Sequence, residues 1–194
     1  MAFVELVAEP RDDVTRELFD TDLAQRGYVP NFTRLFAHRP GVYKAWRALV
    51  GEVAGNMDER RYELATFAAA RRLRSSYCML AHGEILAREH FTADEVADLA
   101  LHPDRAELSP IDRAVVDLAD KVAADATAVT RDDVERLRAH GLTDAEILDV
   151  VLAATVRCFF SKTLDALAVE PDEVLGAIEP STLRDALAVG RQVA

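Results

Sequence analysis

The sequence predicts an all-α fold, a bundle of helices without a sheet. Three observations carry this. Glycine and proline are sparse, 8 and 7 in 194 residues, while Ala, Leu, Arg and Glu, which lose little freedom in a helix, fill nearly every segment. Capping signals recur ahead of apolar stretches with a period near that of a helix. No run of alternating Val, Ile or Thr bounded by turn residues reads as a strand.

The elements follow in order. Asp12-Asp13 opens a helix with Val14, Leu18 and Leu23 at roughly helical spacing, ending near Gly27. Val29-Pro30-Asn31 breaks the chain, and Asn31 is placed to cap a short helix through Leu35 and Phe36. Pro40 suits a first turn, and Val42, Trp46, Leu49, Val50 and Val53 form one stripe up to Gly55-Asn56. Asp58 caps the next helix, with a stripe of Tyr62, Ala65, Thr66, Ala69 and Leu73. Arg71, Arg72 and Arg74 then meet Ser75-Ser76. Basic residues suit a helix C-terminus and serines the next N-terminus, so a boundary falls near Ser75 and a new helix runs to about Glu89. Thr92-x-x-Glu95 is a capping box, and Ser109-Pro110 is an N-cap followed by Pro at the first helical position, with Ile111, Val115, Leu118 and Val122 behind it. Thr130-x-x-Asp133 is a looser cap for a helix ending at His140-Gly141. Thr143-x-x-Glu146 is a second capping box, opening an apolar helix through Ile147, Val150, Val151, Ala154, Phe159 and Leu164. Pro171 and Pro180 punctuate a short C-terminal tail. Residues 1–194 read as a single domain, without a linker or low-complexity tract.

Composition removes several function classes. Half of the residues are hydrophobic, enough for a sizeable core. The formal charge of -11 argues against nucleic acid, which requires a basic face, and against anionic membrane surfaces. No apolar run is long enough to span a bilayer, and no basic stretch precedes an apolar one near Met1, so a cytoplasmic location is expected. The 2 cysteines, Cys78 and Cys158, do not make a disulfide framework. His38, His82, His90, His102 and His140 do not fall with Cys or carboxylates at zinc-like spacing, and no glycine-rich phosphate loop is present. Neither a metal nor another cofactor is therefore expected.

The segment from Glu63 to His82 carries the chemistry. A helix starting at Ser75 puts Cys78 in its first turn, where unpaired N–H groups and the positive end of the dipole favour a thiolate. His82 lies four residues on and shares that face, so it is placed to move a proton. Glu63 precedes the boundary and could fold back to orient the histidine. Each residue also has a plain structural reading. A lone cysteine in a helix is most often a small buried apolar group, and a glutamate on a helix is most often a surface carboxylate.

The stretch from Glu63 through Ser75, Cys78 and His82 resembles the signature of the alkylhydroperoxidase D-like family, a glutamate and an apolar helix followed by Cys-x-x-Cys-x-x-x-His. Glu63, Cys78 and His82 fall on the glutamate, the second cysteine and the histidine. Gly27-Tyr-Val-Pro30-Asn31 through Pro40, and Leu137 through Glu146, resemble carboxymuconolactone decarboxylase-like proteins, including a peroxidase-related branch. The resemblance implies an alkylhydroperoxidase D-like helical bundle, assembled as a homo-oligomer (trimer or hexamer), and reduction of small organic hydroperoxides. Cys78 would be the attacked thiol, His82 and Glu63 the proton relay, and an external thiol the reductant. Ser75 stands where the family has its resolving cysteine, so oxidation at Cys78 would stop at sulfenic acid unless an outside thiol or Cys158 reacts with it. Ser75 is then expected to cap the helix and hydrogen-bond the thiolate, and Tyr77 is a second supporting candidate. Tyr62, Phe67, Trp46 and Met79 are candidates to line an apolar pocket. Two alternatives accompany this reading. One is acid–base chemistry of the decarboxylase kind, with Arg71, Arg72 and Arg74 as a clamp for carboxylates. The other is a redox sensor or scaffold without turnover.

Overall fold

The computed structural model describes residues 2–191 and contains, among them, ten α-helices and no strand. They are α1 (Asp13–Arg26), α2 (Asn31–Phe36), α3 (Pro40–Asn56), α4 (Glu59–Leu73), α5 (Ser76–Glu89), α6 (Ala93–Leu101), α7 (Pro110–Asp125), α8 (Arg131–Ala139), α9 (Asp144–Ala166) and α10 (Ser181–Leu187). The capping signals account for most of the starts. Thr92 with Glu95 and Thr143 with Glu146 close reciprocal capping boxes, and Thr130 with Asp133 closes one as complete. Asp12 does the same with Thr15. Gly27 and Gly141 adopt positive φ, which glycine reaches without steric cost, and end α1 and the turn after α8.

Helix α4 lies at the centre and packs against α5, α7 and α9. Every residue from Tyr62 to Ala70 is buried, so this helix is covered all round rather than on one stripe. Ala65, Ala68, Ala69 and Ala70 keep the backbone accessible to close neighbours, while Leu64 and Phe67 are fully enclosed. Burying each such large side chain contributes about 1.5–3 kcal/mol. One contiguous core joins these residues to Val115 and Leu118 of α7, Val150 and Leu164 of α9, and Leu183 and Leu187 of α10.

Two local expectations are corrected. Asn31 does not cap α2. Its backbone N–H donates to Asp172 Oδ1 (2.8 Å) and its side-chain amide to the Glu170 carbonyl (3.1 Å), so it ties α2 to the C-terminal segment, while Pro30 holds the cap position. On α3 the buried residues are Tyr43 and Val53, whereas Val42 and Leu49 are each 48% exposed. The short C-terminal tail has regular structure of its own. It forms a 3-10 turn (Glu173–Ala177) and α10, which packs on α5 and α6. Gly83 of α5 makes room for this: a Cβ there would lie 2.5 Å from Leu187 Cδ2. No helix among the described residues is long and apolar enough to cross a membrane.

Candidate active site

The turn between α4 and α5 sets the site. Arg74 ends α4 in the left-handed region (φ 57), and its N–H reaches the Ala70 and Arg71 carbonyls. The chain turns back at once, and α5 begins at Ser76. Cys78 is therefore in the first turn of α5, with His82 one turn further along, and both side chains are turned inward against α4 and α9. Glu63, in the first half of α4, is carried to the same place.

Glu63 and His82 form a buried pair. His82 Nδ1 lies 2.6 Å from Glu63 Oε2, with Thr66 Oγ1 3.4 Å from the same nitrogen. Burial pushes the Glu63 carboxyl up, but His82 and Arg157 outweigh it and hold the carboxyl below its ordinary range. His82 moves down, first because burial disfavours its cation and then because Arg157 repels it. Glu63 offsets this in part. Together these directions give a carboxylate beside a neutral imidazole. Nδ1–H then donates to Glu63, and Nε2 carries the lone pair.

Cys78 is 1% exposed, and its sulfur accepts two hydrogen bonds from α9. Ser161 Oγ donates at 3.1 Å and Arg157 Nη1 at 3.6 Å. Arg157 is itself 4% exposed. Its guanidinium lies over the Phe160 ring, 5.5 Å from the centroid, and forms no ion pair with a carboxylate among the described residues. Its Nε is buried without a hydrogen-bond partner. The phenol of Tyr62 is pushed up by burial while Arg157 pulls it the other way, which puts Tyr62 beside the same cation. Sequence reasoning missed Arg157 and Ser161. The available signal was an arginine inside the largely apolar run 150–160 with a serine four residues on, because a charge is rarely carried into a core unless it is used there.

The supporting candidates sit differently from expectation. Ser75 occupies the N-cap position, yet its side chain makes no capping bond. Its buried hydroxyl has no well-formed hydrogen bond, and its neighbour is the Asp165 carboxyl, which burial pushes up and Ser75 partly relieves. The donors on Cys78 are Ser161 and Arg157, not Ser75. Tyr77 hydrogen-bonds Asp172 and packs on Phe32, so it fastens α5 to the C-terminal segment. Burial, then the Asp172 charge, pushes its phenol far up. Phe67 and Met79 are fully enclosed core, and Trp46 stacks on Phe160 with ring centroids 4.2 Å apart. Arg71 and Arg72 both bind Asp120, and Arg74 donates to the Val189 carbonyl. Cys158 is a free thiol, half-buried and pushed up by that burial. No group of three or more His, Cys, Asp or Glu among the described residues is arranged to hold a metal ion.

Comparison with known proteins agrees with this architecture. Residues 40–121, which include Glu63, Cys78 and His82, match the Carboxymuconolactone decarboxylase family. Two solved structures of uncharacterized peroxidase-related proteins superpose over nearly the whole chain. The one from Silicibacter sp. TM1040 has TM-score 0.82 and 21% identity, covering 91% of this chain and 94% of its own. The one from Ralstonia eutropha JMP134, described as an alkylhydroperoxidase AhpD core, has TM-score 0.77 and 23% identity, covering 89% and 95%. A debrominase, Bmp8, solved with 2,3,4-tribromopyrrole, shares the fold at TM-score 0.74 and 13% identity, covering 94% and 97%. At these identities the likeness is one of fold. No curated protein matches the chain.

Proposed function

We propose, from the premise that this chain is a carboxymuconolactone decarboxylase-family protein over residues 40–121 within an alkylhydroperoxidase D-like fold, that it is a thiol-dependent peroxidase acting on small organic hydroperoxides. The observation that carries the reading is the Cys78 sulfur, which accepts hydrogen bonds from Ser161 and the Arg157 guanidinium one turn before a histidine fixed by Glu63. Both donors are aimed at the sulfur, and one of them is cationic.

The reaction would run as follows. Cys78 passes its proton to neutral His82, whose Nδ1–H is held by the Glu63 carboxylate. The sulfur attacks the distal peroxide oxygen and the O–O bond breaks. His82 returns the proton to the departing alkoxide, a poor leaving group at neutral pH without it. Glu63 stabilises the imidazolium formed in between. The products are an alcohol and oxidised Cys78. The acid–base alternative finds less support, because Arg71 and Arg72 are both engaged by Asp120, and the nearest donors at the site point to sulfur.

The test is direct. Reduced protein is given a small excess of tert-butyl hydroperoxide, oxidised thiol is trapped with a sulfenic-acid reagent, and the adduct is mapped by mass spectrometry beside Cys78→Ser. Rapid stoichiometric trapping at Cys78, absent in the variant, is expected. Labelling of Cys78 no faster than of Cys158 would sink the reading.

A further inference from the structure

We propose that Arg157 and Ser161 hold the singly oxidised sulfur of Cys78 as a sulfenate anion, and that a low-molecular-weight thiol, not a second protein cysteine, returns it to the thiol. This rests on the peroxide chemistry above and names what replaces the missing resolving cysteine.

Three features of the site lead there. The first is the donor set. Arg157 and Ser161 are four residues apart on α9 and so share the face that meets Cys78. The guanidinium has five N–H donors and no acceptor. Nη1 is spent on the sulfur, the guanidinium also meets the Tyr62 phenol, and Nε is buried without a partner. An unpaired buried donor of this kind is costly unless something accepts from it during the working cycle. An oxygen added to Sγ is a stronger acceptor than sulfur, and its negative charge would compensate a buried cation that forms no ion pair among the described residues and meets the Glu63 carboxylate only at longer range. The second is the absence of an internal thiol in reach. Position 75 is serine, facing Asp165. Cys158 follows Arg157 directly, which turns its side chain roughly 100° from Arg157 and about 60° from Ser161, the two residues that meet Cys78. Its thiol is also pushed up by burial, which lowers its nucleophilic fraction. The third is access. Cys78 is 1% exposed, so any reactant must pass between the helices, and the thiol loop of a protein reductant requires a wider opening there than a small free thiol does.

The steps balance. The Cys78 thiol and the hydroperoxide give Cys78 sulfenate, one alcohol and one proton. Sulfur loses two electrons, and the O–O bond takes them. One small thiol and one proton then convert the sulfenate to a mixed disulfide and water. A second small thiol attacks that disulfide, releasing the oxidised small disulfide and the Cys78 thiol. Without its two donors, the oxygenated sulfur is freer to react with a second peroxide and become the sulfinic acid, which thiols do not reverse.

The experiment uses the full chain, reduced, with one equivalent of tert-butyl hydroperoxide. Intact mass and peptide mapping follow Cys78 over time in wild type, Ser161→Ala, Arg157→Gln and Arg157→Lys. Glutathione and reduced thioredoxin are compared as reductants. Wild type should accumulate a form carrying one added oxygen at Cys78. Ser161→Ala should shorten its lifetime about tenfold, as expected for loss of one hydrogen bond to a charged group. Arg157→Gln should divert it to the sulfinic acid, and Arg157→Lys, which keeps the charge, should restore part of its lifetime. Glutathione should reduce it faster than thioredoxin. Equal lifetimes in wild type and Ser161→Ala, a Cys78–Cys158 disulfide, or faster reduction by thioredoxin would each overturn the inference while leaving peroxide attack intact. If Cys78 gains no oxygen at all, it is the peroxidase reading itself that fails. Ser161→Ala is a near-isosteric change, so the test stands even if the Arg157 variants do not fold.

Discussion

Replacing Glu63 by Gln separates a catalytic carboxylate from a packing residue. The amide keeps the size of the side chain and an acceptor for His82 Nδ1–H, so the neutral tautomer persists. What it removes is the charge that would steady the imidazolium while His82 carries the proton. The pair is buried and its atoms are 2.6 Å apart. A carboxylate and an imidazolium with charge centres about 4 Å apart attract by ~4 kcal/mol at an effective dielectric constant near 20. Desolvation takes back part of this, and about half, ~2 kcal/mol, corresponds to a roughly 30-fold slower step. The assay is the single-turnover loss of Cys78 thiol on mixing with tert-butyl hydroperoxide, repeated across the pH range in which imidazole titrates. Glu63→Gln should slow the reaction about 30-fold. Its acid limb should also move to lower pH, because the Glu63 carboxylate is what raises the His82 pKa against burial and Arg157. A purely structural role would lower stability but leave the acid limb in place. A rate within about threefold of wild type with an unmoved limb would refute the relay.

Two further outcomes test the fold around the site. The folded-state pKa of His82 lies below its ordinary value, so the unfolded chain takes up the proton first as pH falls. Stability from this group is complete above the unfolded value of ~6.5 and is lost as pH falls toward the lower folded value. The denaturant midpoint should therefore drop in that window for wild type and drop less for His82→Gln, and equal drops would remove His82 as the cause. Gly83→Ala places a methyl 2.5 Å from Leu187 Cδ2, a fully buried side chain. Overpacking of ~1–3 kcal/mol should outweigh the gain of ~1 kcal/mol in helix propensity, lower the melting temperature and expose α10 to proteolysis. An unchanged or higher melting temperature would mean that α10 yields freely.

How much was legible follows the range of the interactions. Thr92 with Glu95 and Thr143 with Glu146 lie three residues apart, so their capping boxes are fixed by adjacent sequence and were read correctly. Glu63, Cys78 and His82 were legible as candidates because a helical period and a family signature place them within one segment of twenty residues. The fold-back of Glu63 onto His82 was legible too, because the break near Ser75 reverses the chain between them.

The sequence by itself therefore determined the helices, most of their ends and the candidate trio, since capping and periodicity are local properties of the chain. Tertiary structure decided what surrounds the sulfur. Ser161 and Arg157 lie 83 and 79 residues from Cys78, and only the packing of α9 against α4 and α5 brings them to it. It also decided which face of α3 is buried. Periodicity offers two apolar faces there, and the aromatic cluster of Phe36, Trp46 and Phe160 selects Tyr43, leaving Val42 and Leu49 outside. Periodicity tells that a helix has a face to bury, and only the neighbouring elements, brought close by the fold, supply the surface that buries it.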